Sequence, residues 1–159
     1  MWGKKGQRLD VPSAGQNRRV PVFGGLDART GRMTILLTER KRTADFISFL
    51  KLLMRKHRGK HVFLFIDNVS IHTSKAAMRF LADHAKEITV IFNAPYTPEL
   101  NLIERYWGFL KNRATNNYFF GELDHLKDAI QQAVTDLNRS KTLRMMPYLE
   151  SLESFREAA

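Results

Sequence analysis

Apolar positions along this chain switch between two periods, and the switches outline a series of strands and helices. Arg19–Phe23 reads as a short strand that Pro21 confines to an edge or irregular position. Gly24 and Gly25 permit close backbone approach or a bulge, and Asp27–Gly31 is a turn with an acidic start and a glycine end. Met33–Thr38 follows as the second arm of a hairpin. Phe46, Phe49, Leu50 and Leu53 then recur at helical spacing, predicting a helix over 44–57 capped by Thr43. Residues 61–66 form the central apolar strand, and a βαβ reading sets it parallel to a neighbour and covered on both faces. Thr73 or Ser74 can cap the next helix, whose inner side carries Ala77, Phe80, Leu81 and His84. Ile88–Phe92 is a further strand. Thr97, Pro98 and Glu99 start a helix with Leu100, Ile103, Trp107 and Leu110 on its buried stripe; Asn101, Glu104, Gly108 and Lys111 define an adjacent polar face. A last long helix over 122–139 carries Leu123, Leu126, Ile130, Ala133 and Leu137. The tail from 141 to 159 holds Tyr148, Leu149, Leu152 and Phe155, enough for one short docking helix.

Charge sharpens this α/β outline. The 159 residues carry a net charge of +10. Residues 1–60 hold fifteen Lys and Arg against four acids, and the remainder holds eleven against twelve, so the excess belongs to the first third. Such a surface suits a phosphate backbone, although a basic surface can also serve solubility alone. No apolar run approaches the length of a membrane span, and the N-terminus lacks a signal-peptide core. With no cysteine, disulfides and thiolate metal sites are excluded. His57, His61, His84 and His125 form no zinc spacing. Phosphate-cradling glycine loops and serine nucleophile elbows are also missing from the sequence.

Two carboxylates stand out. Asp67 closes the apolar run ending at Ile66, at the strand tip where an open α/β sheet exposes ligand groups. It reads either as a metal or catalytic group or as a turn cap acting on Asn68 and Val69. Glu104 sits on a capped helix, as a metal ligand held rigidly or as a solvent-facing acid paired with a base. Asn101 lies one turn before it and can orient the carboxylate, while Glu99 is explained by its first-turn position. His72 is placed to orient a phosphate, to move a proton, or simply to hold its loop. Tyr96 and Trp107 can stack on bases or pack inward. Lys111 and Arg113 follow Glu104 toward a phosphate.

The segments Phe65–His72, Tyr96–Glu104 and Tyr106–Trp107 closely resemble the catalytic domain of bacterial IS630-type transposases, in the Tc1/mariner group of DDE enzymes. The resemblance extends from Trp2 through the last long helix. It implies a ribonuclease-H-like mixed sheet with flanking helices over residues 1–140, in which two aspartates and a glutamate hold two Mg²⁺ (or Mn²⁺) ions. It carries the second aspartate onto Asp67 and the glutamate onto Glu104, with Asn101, His72 and Asn68 as orienting residues. The first aspartate of that pattern precedes the segment that begins at Trp2, so the resemblance implies a domain truncated at its N-terminus. Asp10, in a loop, and Asp27, in the hairpin turn, are poor replacements. A central strand between the hairpin and the strand ending at Asp67 is missing with it, leaving an unpaired seam.

In the intact enzyme the resemblance implies DNA strand cleavage and transfer of a 3′-hydroxyl to target DNA. For this chain alone the missing carboxylate predicts little or no strand transfer. An inactive DNA-binding or oligomerising remnant and a ribonuclease-H-like nuclease are the alternatives. The expected partners are double-stranded DNA and transposon ends, contacted through Lys4, Lys5, Arg18, Arg19, Arg40, Lys41, Arg42, Lys111 and Arg113, together with a second copy or an upstream transposase fragment. The expected location is the cytoplasm, on the nucleoid when DNA is bound, with no membrane partner.

Overall fold

A computed structural model describes residues 19–93, 103–114, 120 and 122–139. The order of elements is β1 (Val22–Leu26), β2 (Met33–Leu37), α1 (Thr43–Lys56), β3 (Val62–Ile66), α2 (Lys75–Asp83), β4 (Ile88–Phe92), α3 (Ile103–Ala114) and α4 (Leu123–Arg139). This is a mixed α/β fold. Its described residues fall into two compact units: one contains 21–25, 34–93 and 103–104, and the other contains 19–20, 26–33 and the described residues from 105 onward.

In the first unit the core forms where α1 and α2 meet the strands. Phe46, Phe49, Leu50 and Leu53 of α1 pack with Phe23, Ala77, Leu81 and Ile88, and Leu64, Ile66 and Val90 close the cluster. The α1 positions follow the i, i+3, i+4, i+7 spacing that puts one stripe inward. The helix starts at Thr43 itself, so Thr43 is not its cap. Instead the Asp45 carboxylate reaches back to accept from the Arg42 N–H at 3.1 Å, satisfying an otherwise orphaned donor. Ser74, one of the two expected residues, caps α2 by accepting from the Ala77 N–H at 3.3 Å.

Strand β1 begins three residues later than the sequence pattern predicts, and Pro21 accepts at its edge from the Thr38 N–H. Gly25 provides the expected close approach: a Cβ there would stand 3.2 Å from Cζ of Phe49. In the hairpin loop, Asp27 accepts from the N–H groups of Arg29 and Thr30 at 2.9 and 3.1 Å. Gly31 then takes a left-handed φ of 66°, which a side chain would oppose.

Strands β3 and β4 pair in parallel, in register from Val62 opposite Ile88 to Ile66 opposite Phe92. The expected parallel neighbour is therefore present, but the expectation of burial on both faces is overturned. Side chains alternate across a strand, and α1 and α2 cover only the Val62, Leu64 and Ile66 face. Phe63 and Phe65 on the other face are 64% and 63% exposed. Among the described residues the hairpin and the β3–β4 pair remain two separate two-stranded sheets.

In the second unit the buried stripe of α3 runs through Tyr106, Leu110 and Ala114. Trp107 and Ile103, expected on that stripe, are only half-buried. Tyr106 is fully buried, and burial raises its phenol pKa above the ordinary value. Ile130, Ala133, Val134 and Leu137 form the inner face of α4. Asn138 clamps the backbone of Met33 there, accepting from its N–H at 2.7 Å and donating to its carbonyl at 2.9 Å. The expected helix start at 97–99 and the tail from 141 lie outside the described residues.

Candidate functional site

The end of β3 gathers several of the singled-out side chains. A strand leaving the core there must stop at Asp67, because an unpaired carboxylate is costly in an apolar interior. The chain turns at once: the N–H groups of His72 and Thr73 both donate to the Val69 carbonyl, bringing His72 back over Asp67. Nδ1 of His72 lies 2.9 Å from the Asp67 carboxylate and 3.1 Å from its backbone oxygen. The His72 side chain is only 14% exposed, whereas that of Asp67 is 61% exposed. One group is held by the fold and the other is offered to solvent.

Phe46 completes this support. Its ring centroid lies 4.3 Å from that of His72, so the first turn of α1 braces the imidazole from below. The helical spacing of Phe46 marks it only as a core residue; its contact with His72 depends on a turn whose closure no local pattern reveals. Asn68 takes a different partner, donating to the Asn93 carbonyl at 3.1 Å and tying the ends of β3 and β4 together. The Asp67 carboxylate is engaged by His72, and Ser74 caps the helix that follows.

Glu104 lies in the first turn of α3 as described, with an exposed side chain. Gly108 and Lys111 share its exposed face, as the spacing predicts. Asn101 and Tyr96 lie outside the described residues, as do Lys4, Lys5 and Arg18. Arg19, Arg40, Lys41, Arg42, Lys111 and Arg113 are exposed, and Arg113 pairs with Asp136 at 3.7 Å. Among the described residues no three His, Cys, Asp or Glu side chains converge in a metal-binding group. Nor, among them, is any helix long and apolar enough to cross a membrane.

Residues 1–127 match the family model described as DDE superfamily endonuclease. The chain is 34% identical over 118 residues to the "Insertion element IS630 uncharacterized 39 kDa protein" of Shigella sonnei; the match covers 74% of this chain and 34% of that protein. The chain therefore spans about a third of the length of this curated relative. Among solved structures, the catalytic core domain of BIV integrase superposes with a TM-score of 0.56 at 19% identity, over 87% of this chain and 90% of that one. The HTLV-2 integrase catalytic core domain in complex with magnesium gives 0.54 at 19% identity, over 79% and 86%. A simian T-cell lymphotropic virus intasome gives 0.57 at 19% identity, over 78% and 50%. At such identity these likenesses establish the fold, an integrase-related ribonuclease-H-like one, while the family match rests on the sequence itself. The chain belongs to the DDE superfamily of endonucleases, alongside the IS630-type transposases.

Proposed function

We propose that this chain is a DNA-binding part of a transposase catalytic domain that retains two metal-holding carboxylates and does not join DNA ends by itself. The observation that carries this reading is an exposed, histidine-supported Asp67 in a chain whose described residues bring together no group of three metal-ligating side chains. The family supplies the reaction class, and the basic first third of the chain supplies the affinity for phosphate.

The donor chemistry fits a hard divalent cation. Asp67 and Glu104 offer oxygen ligands, which Mg²⁺ prefers, and both side chains are open to solvent. A bound ion would polarise phosphate oxygens at the reacting bond. His72, fixed against Phe46, holds the Asp67 carboxylate in one orientation and leaves its second oxygen available. In a complete assembly Asp67 and Glu104 would serve as two of the acids of the DDE pattern, with Asn101 near Glu104 as an orienting group. Strand cleavage and 3′-hydroxyl transfer belong to that assembly.

The test combines two measurements on the purified chain. Duplex binding is followed by fluorescence anisotropy across a salt series, and joining of labelled DNA ends is followed with Mg²⁺ or Mn²⁺. The expected result is salt-sensitive binding that survives EDTA, with no joined product. Robust metal-dependent joining that Asp67→Asn abolishes would refute the proposal. Cleavage without joining, lost in the same variant, would favour a ribonuclease-H-like nuclease instead.

A further inference from the structure

We infer that the outer face of α1 is a track for the phosphate backbone of double-stranded DNA, leading away from the Asp67 end of the sheet. The inference rests on the DNA-binding reading above and assigns that binding to a surface outside the basic residues singled out from sequence. Phe46, Phe49, Leu50 and Leu53 point α1 into the core, so its opposite side is set by the same helical spacing. That side carries Ala44, Ser48, Lys51 and Arg55, all exposed, and Arg58 and Lys60 extend it into the following turn, where Gly59 adopts a φ of 78°.

The stripe has one sign. The single acid of α1, Asp45, is engaged at the helix start with the Arg42 N–H. No ion pair among the described residues involves Lys51, Arg55, Arg58 or Lys60. Helix α4 shows what a face built only for solvent looks like here. Its Asp124 takes Lys127, and its Asp136 is shared by Gln132 and Arg113. Lys56 is excluded from the stripe because its ammonium donates to Thr34 Oγ1 at 2.6 Å. Lys51 is partly positioned, its ammonium lying 5.7 Å from the centroid of the Phe80 ring.

Geometry favours a polyanion over a protein partner. Lys51 and Arg55 are one turn apart, about 6 Å along the axis. The stripe offers no exposed aromatic or apolar anchor of the kind that dominates protein interfaces. The 14 residues of α1 span about 21 Å, which matches about six base-pair steps of duplex. Direction follows from the first turn: Phe46 touches His72, so the helix starts beside the candidate site and the cations recede from it.

The test compares the unaltered chain, a variant carrying K51A, R55A, R58A and K60A, and a control carrying R29A and R32A in the exposed hairpin loop. Each is titrated against a duplex of arbitrary sequence from 50 to 300 mM KCl, with circular dichroism verifying the fold. Each lost phosphate contact removes about 0.9 from the slope of log K against log salt. The stripe variant is expected to flatten that slope by about 3 to 4 and to bind at least about tenfold more weakly at 100 mM salt, with the control unchanged. An unaltered slope in the stripe variant overturns the inference while leaving DNA binding itself intact. A chain with no duplex binding at all overturns both readings. Loss of binding to phosphatidylserine vesicles with duplex binding preserved assigns the stripe to a membrane and also overturns the inference.

Discussion

Replacing Asn138 with alanine removes both hydrogen bonds that hold Met33. The amide accepts from the Met33 N–H at 2.7 Å and donates to its carbonyl at 2.9 Å, acting as a one-residue strand partner at the end of β2. Met33 is 1% exposed, so water cannot readily replace either bond. An unsatisfied buried donor or acceptor costs about 1–3 kcal/mol, which puts the loss of both in Asn138→Ala at about 2–6 kcal/mol of stability. The Tyr106 hydroxyl, 3.4 Å from the same amide oxygen, also loses an acceptor, although at that distance it contributes little. Asn138→Asp keeps the acceptor for the N–H but sets a carboxylate against the Met33 carbonyl, and is expected to destabilise as well. Urea unfolding followed by the fluorescence of Trp107 measures both variants. A loss below about 0.5 kcal/mol for Asn138→Ala, with an unchanged slope, would show that the clamp is incidental and that Met33 is held by packing alone.

Three further outcomes follow from local geometry. Gly108→Ala should raise stability by about 1 kcal/mol in the same assay, because no atom lies within 4 Å of the new methyl and alanine is the better helix former. Gly25→Ala gains about 0.4–1 kcal/mol from the unfolded chain but presses its methyl on the buried Phe49 ring at 3.2 Å; overpacking at about 1–3 kcal/mol makes the net effect a loss. Tyr106 is neutral when protonated and its pKa is raised in the folded chain, so its contribution is complete below the unfolded value of about 10 and is lost as pH rises through the folded value. Urea midpoints should therefore fall as pH rises above about 10, and Tyr106→Phe should flatten that fall; an equal fall in both would assign it to other groups.

Local patterns made the helices and the parallel pair legible, because a stripe such as Phe46–Leu53 or Ile130–Leu137 needs only one periodicity and one neighbour to bury it. Longer-range relations were less legible. Tyr106 replaces Trp107 as the buried aromatic of α3, and that rotation of the stripe by one residue depends on α4, which supplies Asn138. Burial of β3 was misjudged for a related reason. Five consecutive apolar residues announce a strand without stating how many faces have partners, and only one face of β3 is covered. At the site, Asp67 and His72 were singled out from their spacing, while the role of Phe46 needed the folded turn between residues 69 and 73.

The two exposed phenylalanines and the two carboxylates belong to one argument. Parallel pairs are ordinarily covered on both faces, and two-stranded sheets are marginal on their own. A chain that leaves Phe63 and Phe65 on the open face of such a pair carries an apolar patch beside the strand that ends in Asp67. A polypeptide segment covering that patch would withdraw water from the neighbourhood of Asp67. Lower local polarity strengthens the attraction between a carboxylate and a cation. Coverage of the open β3 face and the cation affinity proposed for Asp67 should therefore rise together. A segment packed on that face should raise the cation affinity of Asp67 as well as the folding stability of β3, and a Phe63→Ser, Phe65→Ser variant should lose both gains together. Divalent-ion titration with and without the covering segment would reveal this; cation affinity that rises equally in the serine variant would break the link.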